Sequence, residues 1–459
     1  MIRHVAMASV FITLTLSASA PPQPTRIAII GGGLAGLGTA VHLLSEAQTP
    51  LEALHIFDAA EPGKGGASAV AAGLLHPFTP RSREIWKGKD GYAASAALLK
   101  RVEDLVGPVS SKSGLLRLAM SEKQAEELQH AVTSSESVSG DEAELGGSSL
   151  EQHWLTQQQA CERAGSDVGG IGGVFAASAL SIDVPQYVQG LWALCQSLGD
   201  GSSKSAEPVA QWHMGEVSSL ASLLTSDQYD AVIVALGSRA TALAGCEALP
   251  IRPCRGQNLV FSNEGGLEVP VISGKYLVPI VGEQGQPRLL GGATFEYDAI
   301  DIIHRPPEQA EAEEELVIAL SALHPALSGE RVVGCQAGVR ALPPRSHFGY
   351  VPLAGRLGRS ADGPSTLPPP AAAPAAAVDD ASVREVKPSA PLRASADCWM
   401  VGALGSRGLI HHALLGKATA LAVLHRDETI LPEHTRRVQE ALDSCDCSRT
   451  DLDQSGQRS

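Results

Sequence analysis

The chain has 459 residues, 44% of them hydrophobic and 4% aromatic, with a formal net charge of −15. That length and apolar content exclude a disordered or fibrous chain and allow two domains or one large composite. The negative balance argues against a broad nucleic-acid surface, for DNA above all, and the scarce aromatics leave few stacking platforms for single strands.

At the N-terminus, Arg3 and His4 precede the apolar stretch Val5 to Leu16, followed by Ser17-Ala18-Ser19-Ala20 and two prolines. Residues 1–22 are therefore read as a targeting or signal segment outside the fold, with Ala18-x-Ala20 as candidate cleavage site. No acidic residue precedes Glu46, which favours an organelle transit peptide, plastid or mitochondrial, with the secretory route as the alternative. The apolar run is too short to span a bilayer, so no stable membrane insertion is expected.

Next, the apolar strand Ile27-Ala28-Ile29-Ile30 runs straight into Gly31-Gly32-Gly33-Leu34-Ala35-Gly36, and Leu37 to Leu44 reads as a helix. This is Gly-x-Gly-x-x-Gly in its strand–turn–helix setting: Gly31 for the tight turn, Gly33 for close approach of a pyrophosphate, Gly36 for helix–strand packing. Free N–H groups at the helix start, around Leu34 and Ala35, would receive the anion. A second β-rich run, Leu54-His55-Ile56-Phe57, ends in Asp58, 22 residues past Gly36, where an acidic side chain accepts from ribose hydroxyls. A strand–turn–helix with no ligand is the bland alternative, and it is disfavoured because every fingerprint position is filled. A dinucleotide is expected, with NAD and FAD equally admissible on this turn.

A small-residue loop covers 63–77, and apolar spacing predicts helices over 92–107 and 122–133. Ser134 to Ser149 reads as an exposed loop, and Pro185 to Leu198 as an amphipathic helix with proline in its first turn. Tyr229 to Leu236, stopped by Gly237, suits a parallel strand covered on both faces. Between about 250 and 340, short β-rich pieces (257–261, 276–281, 287–295, 331–335) and one helix (308–324) suit an antiparallel sheet with helices. Residues 357–396 carry a Pro/Ala-rich run that cannot bury a core and read as a disordered insertion. A strand from Cys398 and a helix to about His425 follow, and 444–459 is a polar tail. None of the eight cysteines forms a Cys-x-x-Cys pair and no His/Cys cluster has zinc spacing, so no metal is expected.

Several segments resemble the FAD-dependent D-amino-acid oxidase superfamily, which includes glycine and sarcosine oxidases, and in particular the C-terminal oxidoreductase domain of the bacterial tRNA wobble-uridine modification enzyme. Gly66-Ala67-Ser68 with Gly73-Leu74-Leu75-His76-Pro77 resembles the segment beside the flavin, and Arg252-Pro253-Cys254-Arg255-Gly256-Gln257 the Arg-Gly-Gln strand. Gly338-Val339-Arg340 with Pro352 to Gly355 resembles the late strand and loop, and Gly402-Ala403-Leu404-Gly405-Ser406-Arg407-Gly408-Leu409 the C-terminal flavin loop. The resemblance implies α/β plus α+β architecture: a discontinuous Rossmann-type FAD-binding domain (26–100, 165–250, 335–430) and an antiparallel-sheet substrate domain (101–164, 251–334).

It also implies non-covalent FAD, since no cysteine matches a position of covalent attachment. Gly31, Gly33, Leu34, Ala35, Gly36, Asp58, Ala67, Ser68, Gly73, Leu74, Gly237, Gly405, Ser406, Arg407, Gly408 and Leu409 are the expected cofactor contacts. Arg340 is the expected carboxylate clamp, an arginine fork being suited to that group, and Arg407 a positive charge near flavin or substrate. His411 is a site neighbour where relatives usually have a small residue and proline. Arg255 reads as a structural ion pair, and Tyr276 as a residue lining the substrate cavity. The expected activity is oxidation of the C–N bond of a small secondary amine or N-substituted amino acid, with O2 as electron acceptor. The alternatives are removal of a carboxymethyl group from tRNA wobble uridine, which the net charge disfavours, and a non-enzymatic flavoprotein.

Overall fold

Ile27 to Ile30 are buried on both faces, and such a strand is stable only inside a parallel sheet covered by helices. The computed structural model, which describes residues 22–136, 150–200, 207–297, 301–357, 396–436 and 438, builds that sheet. Its strands are β1 (Arg26–Ile30), β2 (Ala53–Asp58), β6 (Ala210–Met214), β7 (Ala231–Val234), β13 (Leu353–Arg356) and β14 (Asp397–Gly402), in the order β13-β14-β7-β1-β2-β6. All neighbours are parallel except the β13–β14 edge. Helices α1 (Leu34–Glu46), α2 (Gly88–Val106), α5 (Val184–Asp200) and α7 (Gly408–His425) cover one face, on a core that includes Ile29, Ile56, Ile233 and Trp399. Ala28, Ile30, Val232 and Met400 point to the other face, under the segment around Leu220 to Ile251.

The second sheet holds β3 (Leu115–Leu118), β4 (Gln152–Thr156), β5 (Gly172–Ala176), β8 (Arg252–Ser262), β9 (Val271–Ser273), β10 (Lys275–Val281), β11 (Pro287–Gly292) and β12 (Val332–Leu342). Their order is β12-β8-β11-β10-β9-β3-β5-β4, antiparallel throughout save for β9 beside β3. One face packs Leu116, Leu259, Phe261, Leu277 and Leu289 against α6 (Gln309–Leu323), while α3 (Glu122–Glu136) and α4 (Gln157–Ala164) flank the β5 end. The opposite face turns toward the first sheet.

The helices expected over 92–107, 122–133, 185–198 and 308–324 are α2, α3, α5 and α6, each within a few residues of its predicted ends. Pairing departs from the sequence reading in one respect. Gly172–Ala176, and the strand Val332–Leu342 from residue 335 onward, lie in ranges assigned to the cofactor domain, yet both are strands of the second sheet. Short apolar runs do not record which sheet they join; partner register does, and β12 pairs with β8 along nearly its whole length. The segment expected to be a targeting signal, the core of the 134–149 loop, the Pro/Ala-rich insertion and the tail lie outside the described residues. Among the described residues no helix is long and apolar enough to cross a membrane.

α1 and α7 approach at backbone distance. A Cβ on Gly38 would lie 2.9 Å from the His412 carbonyl oxygen, and one on Gly416 would lie 2.7 Å from the Gly38 carbonyl carbon. Gly416→Val is therefore expected to force the helices apart and cost about 1–3 kcal/mol. Denaturant unfolding of the cofactor-free protein measures this, and an unchanged midpoint would refute the close-packing account.

Candidate active site

β1 delivers the chain to Gly31 at φ +109°, a conformation open to glycine, and Gly33 then caps α1 in extended backbone. The three fingerprint glycines are constrained differently. A Cβ on Gly31 or Gly36 would overlap backbone, the Ala235 carbonyl for one and the Gly31 carbonyl for the other. On Gly33 a Cβ would meet only the Ser68 hydroxyl, at 3.2 Å. The space above Gly33 is thus open, and the α1 cap makes no side-chain hydrogen bond, so the helix start presents free N–H groups and its positive dipole end.

A second uncapped helix start sits beside it. Ala403 (φ +53°) and Gly405 (φ +58°) turn β14 into α7, whose first residue, Gly408, would bring a Cβ within 3.2 Å of the Leu34 side chain. Ser68, in the turn Ala67–Val70, accepts from the Leu34 N–H at 3.3 Å. Gly73 (φ +79°) leads into Leu74, and Gly237 (φ +56°), just past β7, leaves open space where its Cβ would be. Two helix N-termini, open space above Gly33 and a hydroxyl at its edge fit a dinucleotide diphosphate. Leu34, Ala35, Ser406 and Leu409 belong to the same two helix starts.

Asp58 behaves differently from the sequence expectation of a free ribose ligand. Its carboxylate accepts the Gly32 N–H at 2.7 Å and the Ala60 N–H at 2.9 Å, so it shapes the turn and keeps only its remaining lone pairs for a ribose. Trp212, on β6, was not singled out from sequence. Its indole packs over Gly32 so tightly that no Cβ would fit there.

The substrate side is organised by strand alternation. In register across the second sheet, Arg117, Ile272, Tyr276, Gly292 and Asn258 stand on one face, and the β8–β12 pairing adds Gly338 and Arg340 to it. This face meets the turn Ala67–Val70. Tyr276 Oη donates to Asn258 Oδ1 at 2.7 Å, Asn258 Nδ2 donates to the Val70 carbonyl at 3.0 Å, and Gly338 lies under Val70. Arg340, half-buried, approaches Tyr276, stacks on Phe295 at 4.9 Å and reaches Cys254 Sγ at 3.9 Å. Among the described residues it has no carboxylate partner.

Arg255 points to the opposite face. It is 0% exposed and bonds Glu296 at 2.9 Å, Gln257 at 3.3 Å and the Pro306 carbonyl at 2.5 Å, which makes it the structural ion pair expected from sequence.

Arg407, the residue capping α7, is half-buried without a carboxylate partner among the described residues, and desolvation pulls its guanidinium below the ordinary range. His411 is buried with its ring 5.7 Å from that of Trp86, and neither ring nitrogen finds a partner. The structure therefore sets it against Trp86, whereas Arg340 belongs to the sheet face. His412 is bound by Tyr187 Oη at 2.8 Å and by the Leu409 carbonyl at 3.0 Å, fixing α7 to α5.

Residues 26–422 match the DAO family, described as FAD dependent oxidoreductase. The chain belongs to this family. Its members are FAD-dependent oxidoreductases, and this chain is an enzyme of that class. Two relatives are both named tRNA 5-methylaminomethyl-2-thiouridine biosynthesis bifunctional protein MnmC. The Hydrogenovibrio crunogenus protein is 26% identical over 292 residues, 60% of this chain and 40% of its own. That of Caulobacter sp. strain K31 is 26% identical over 352 residues, 75% and 51% respectively. The chain thus spans about half the length of these relatives, or less.

Among solved structures, glycine oxidase from Geobacillus kaustophilus aligns with TM-score 0.62 at 18% identity, over 91% of this chain and 98% of its own. L-proline dehydrogenase from P. horikoshii aligns with TM-score 0.63 at 15% identity, over 92% and 99%. Iminodiacetate oxidase from Chelativorans sp. BNC1 gives 0.60 at 18%, over 90% and 98%. At these identities the likeness is one of fold. It agrees with the α/β plus antiparallel architecture expected from sequence.

The glycine geometry separates two effects in this DAO-family enzyme. Gly33→Val should leave the cofactor-free protein folded, because the backbone there is ordinary, while weakening FAD by at least about tenfold. Titration of the apoprotein with FAD, read by flavin fluorescence quenching, checks this; parent-like affinity would place the diphosphate elsewhere.

Burial pushes the His411 imidazole down to about 3 and that of His412 to about 4, from 6.5. Both are neutral in the folded protein, so the unfolded chain takes up protons first as pH falls. The stability they contribute is full above about 6.5 and is lost as pH falls toward 3–4, by at most about 1.4 kcal/mol per pH unit for each histidine. Melting temperatures between pH 7.5 and 4.5 should fall less steeply in His411→Leu than in the parent; parallel profiles would remove His411 from the linkage.

Proposed function

We propose that this enzyme oxidises the C–N bond of a small secondary amine or N-substituted amino acid, using non-covalently held FAD. The supporting observation is Arg340: a half-buried guanidinium beside Tyr276, with no protein carboxylate among the described residues, on the sheet face that meets the turn Ala67–Val70. A half-buried arginine fork of this kind suits a substrate carboxylate. Glycine and iminodiacetate, for which two of the fold relatives are named, both place an amine next to a carboxylate.

FAD, when bound, supplies the two-electron acceptor, and the protein's task is orientation. Arg340 would anchor the carboxylate. Tyr276, held by Asn258, would define the depth at which the carbon next to the nitrogen sits. The amine gives up two electrons and two protons to become an imine, which water then hydrolyses to split the C–N bond. O2 is the proposed final acceptor, leaving as hydrogen peroxide. Neutral amine is required at the reacting nitrogen, and a site rich in guanidinium charge favours that form over ammonium.

A second reading is favoured by the relatives. Both carry the name of a tRNA modification protein, and a carboxymethylated amine on a wobble uridine would offer the same amine–carboxylate pair to Arg340. The net charge of −15 weighs against it.

Anaerobic flavin bleaching with N-substituted glycines, D-amino acids and carboxymethylaminomethyl-uridine tests both readings. N-substituted glycines should bleach the parent, and Arg340→Gln should keep its flavin while losing apparent substrate affinity by about 10²-fold, as for one partner of a charge-assisted pair. Bleaching by the nucleoside alone would select the tRNA reading, and equal bleaching by Arg340→Gln would remove Arg340 from the site.

A further inference from the structure

Resting on that reading, we propose that the substrate carries a second acidic group, bound by Arg117 with His76 on the sheet face across Tyr276 from Arg340. Arg117 stands on β3, in Leu115-Leu116-Arg117-Leu118, with leucine on both sides. It is 7% exposed, and among the described residues no hydrogen bond or carboxylate satisfies it. Desolvation holds its pKa near 10, with no acidic neighbour to raise it. A guanidinium buried without a counter-ion costs several kcal/mol, and proteins place one so where an anion arrives to compensate it.

Register fixes where it faces. Arg117 pairs with Ile272 and Ile272 with Tyr276, so Arg117 shares the substrate face with Tyr276 and Arg340. Two strand spacings, about 10 Å, separate it from Tyr276. Arg340 lies on the other side of Tyr276, so the two arginines flank the tyrosine from opposite directions along the sheet.

The surroundings of Arg117 are those of an anion site. Leu74 and Phe78 pack over this part of the sheet, bringing the loop that contains His76 onto it. His76 Nδ1 accepts the Phe78 N–H at 3.3 Å, so a neutral ring carries its proton on Nε2 and offers a donor. Desolvation and the nearby guanidinium groups of Arg117 and Arg407 pull its pKa down to about 3, which keeps the ring neutral. A buried cation and one N–H donor therefore come together with no protein carboxylate among the described residues. A monoacid on Arg340 would leave them uncompensated, whereas an amine with two acidic arms would fill both ends.

The test uses two five-carbon acids that cannot be oxidised as amines, glutarate and pentanoate, which differ by one carboxylate. Each is titrated into the FAD-loaded enzyme and followed by the shift in visible flavin absorbance. Glutarate should bind at least about tenfold more tightly than pentanoate. Arg117→Gln should abolish that preference while leaving pentanoate unchanged, Arg117→Lys should keep part of it, and Arg340→Gln should weaken both acids. Equal affinity of the parent for the two acids overturns the proposal without recourse to any variant. So does an unchanged preference in Arg117→Gln, or loss of FAD from that variant at concentrations that saturate the parent, which would make Arg117 a cofactor ligand. A glutarate preference with no bleaching by any amine would instead overturn the amine-oxidase reading and leave the second anion site standing.

Discussion

The close approach of backbone around α1 sets the geometry on which the rest depends. Gly36 lets the helix rest on the Gly31 carbonyl, and Gly38 with Gly416 lets α7 lie against it. Because both contacts are backbone to backbone, the starts of α1 and α7 come side by side, with Gly408 against Leu34. Helix dipoles act over only the first turn. An angular error in either packing would move one positive end off the cofactor, so small residues at buried helix crossings determine the electrostatics of an open cradle within about two turns of them.

Strand parity does the equivalent work on the substrate side. Arg255 and Arg340 sit on neighbouring paired strands with similar chemistry, yet one holds Glu296 and the other stands beside Tyr276 without a carboxylate partner among the described residues. A one-residue slip of β8 against β12 would exchange the faces of every residue on one strand and bury the wrong arginine. In-register pairing from Arg252 to Val260 opposes that slip, as does the Tyr276–Asn258–Val70 chain of hydrogen bonds, which ties the sheet face to the loop carrying Ser68.

What the sequence discloses follows the range of the physics involved. The glycine turn is legible because its constraints fall on six adjacent residues, and the long helices because their apolar spacing is local. Sheet membership is not local: Gly172–Ala176 reads as one more apolar strand until its partners are known. Asp58 was legible by spacing, but its bond to the Gly32 N–H is a feature of three dimensions. Arg117 left a faint trace, a single cation inside an apolar run. Its meaning depends on Ile272, more than 150 residues later in the chain. Trp212 gave no trace, since nothing in its own neighbourhood points to Gly32.

The distribution of charge argues that the unpaired arginines are not an accident of composition. With 50 acidic against 35 basic residues, the chain has carboxylates to spare. It uses them elsewhere: Arg305 meets Glu296, Glu308 and Glu311, and Lys275 meets Glu315. Those pairs are partly exposed and contribute little each. Arg255, fully buried, also has its carboxylate, Glu296, whereas buried Arg117 and half-buried Arg340 and Arg407 have none among the described residues. Distant surface acids do not substitute, because solvent-exposed charge is screened within about 8 Å at physiological ionic strength. Among the described residues nothing offsets this electrostatic cost, and a bound anion would relieve it. Ligand binding and folding stability should accordingly be linked in this enzyme.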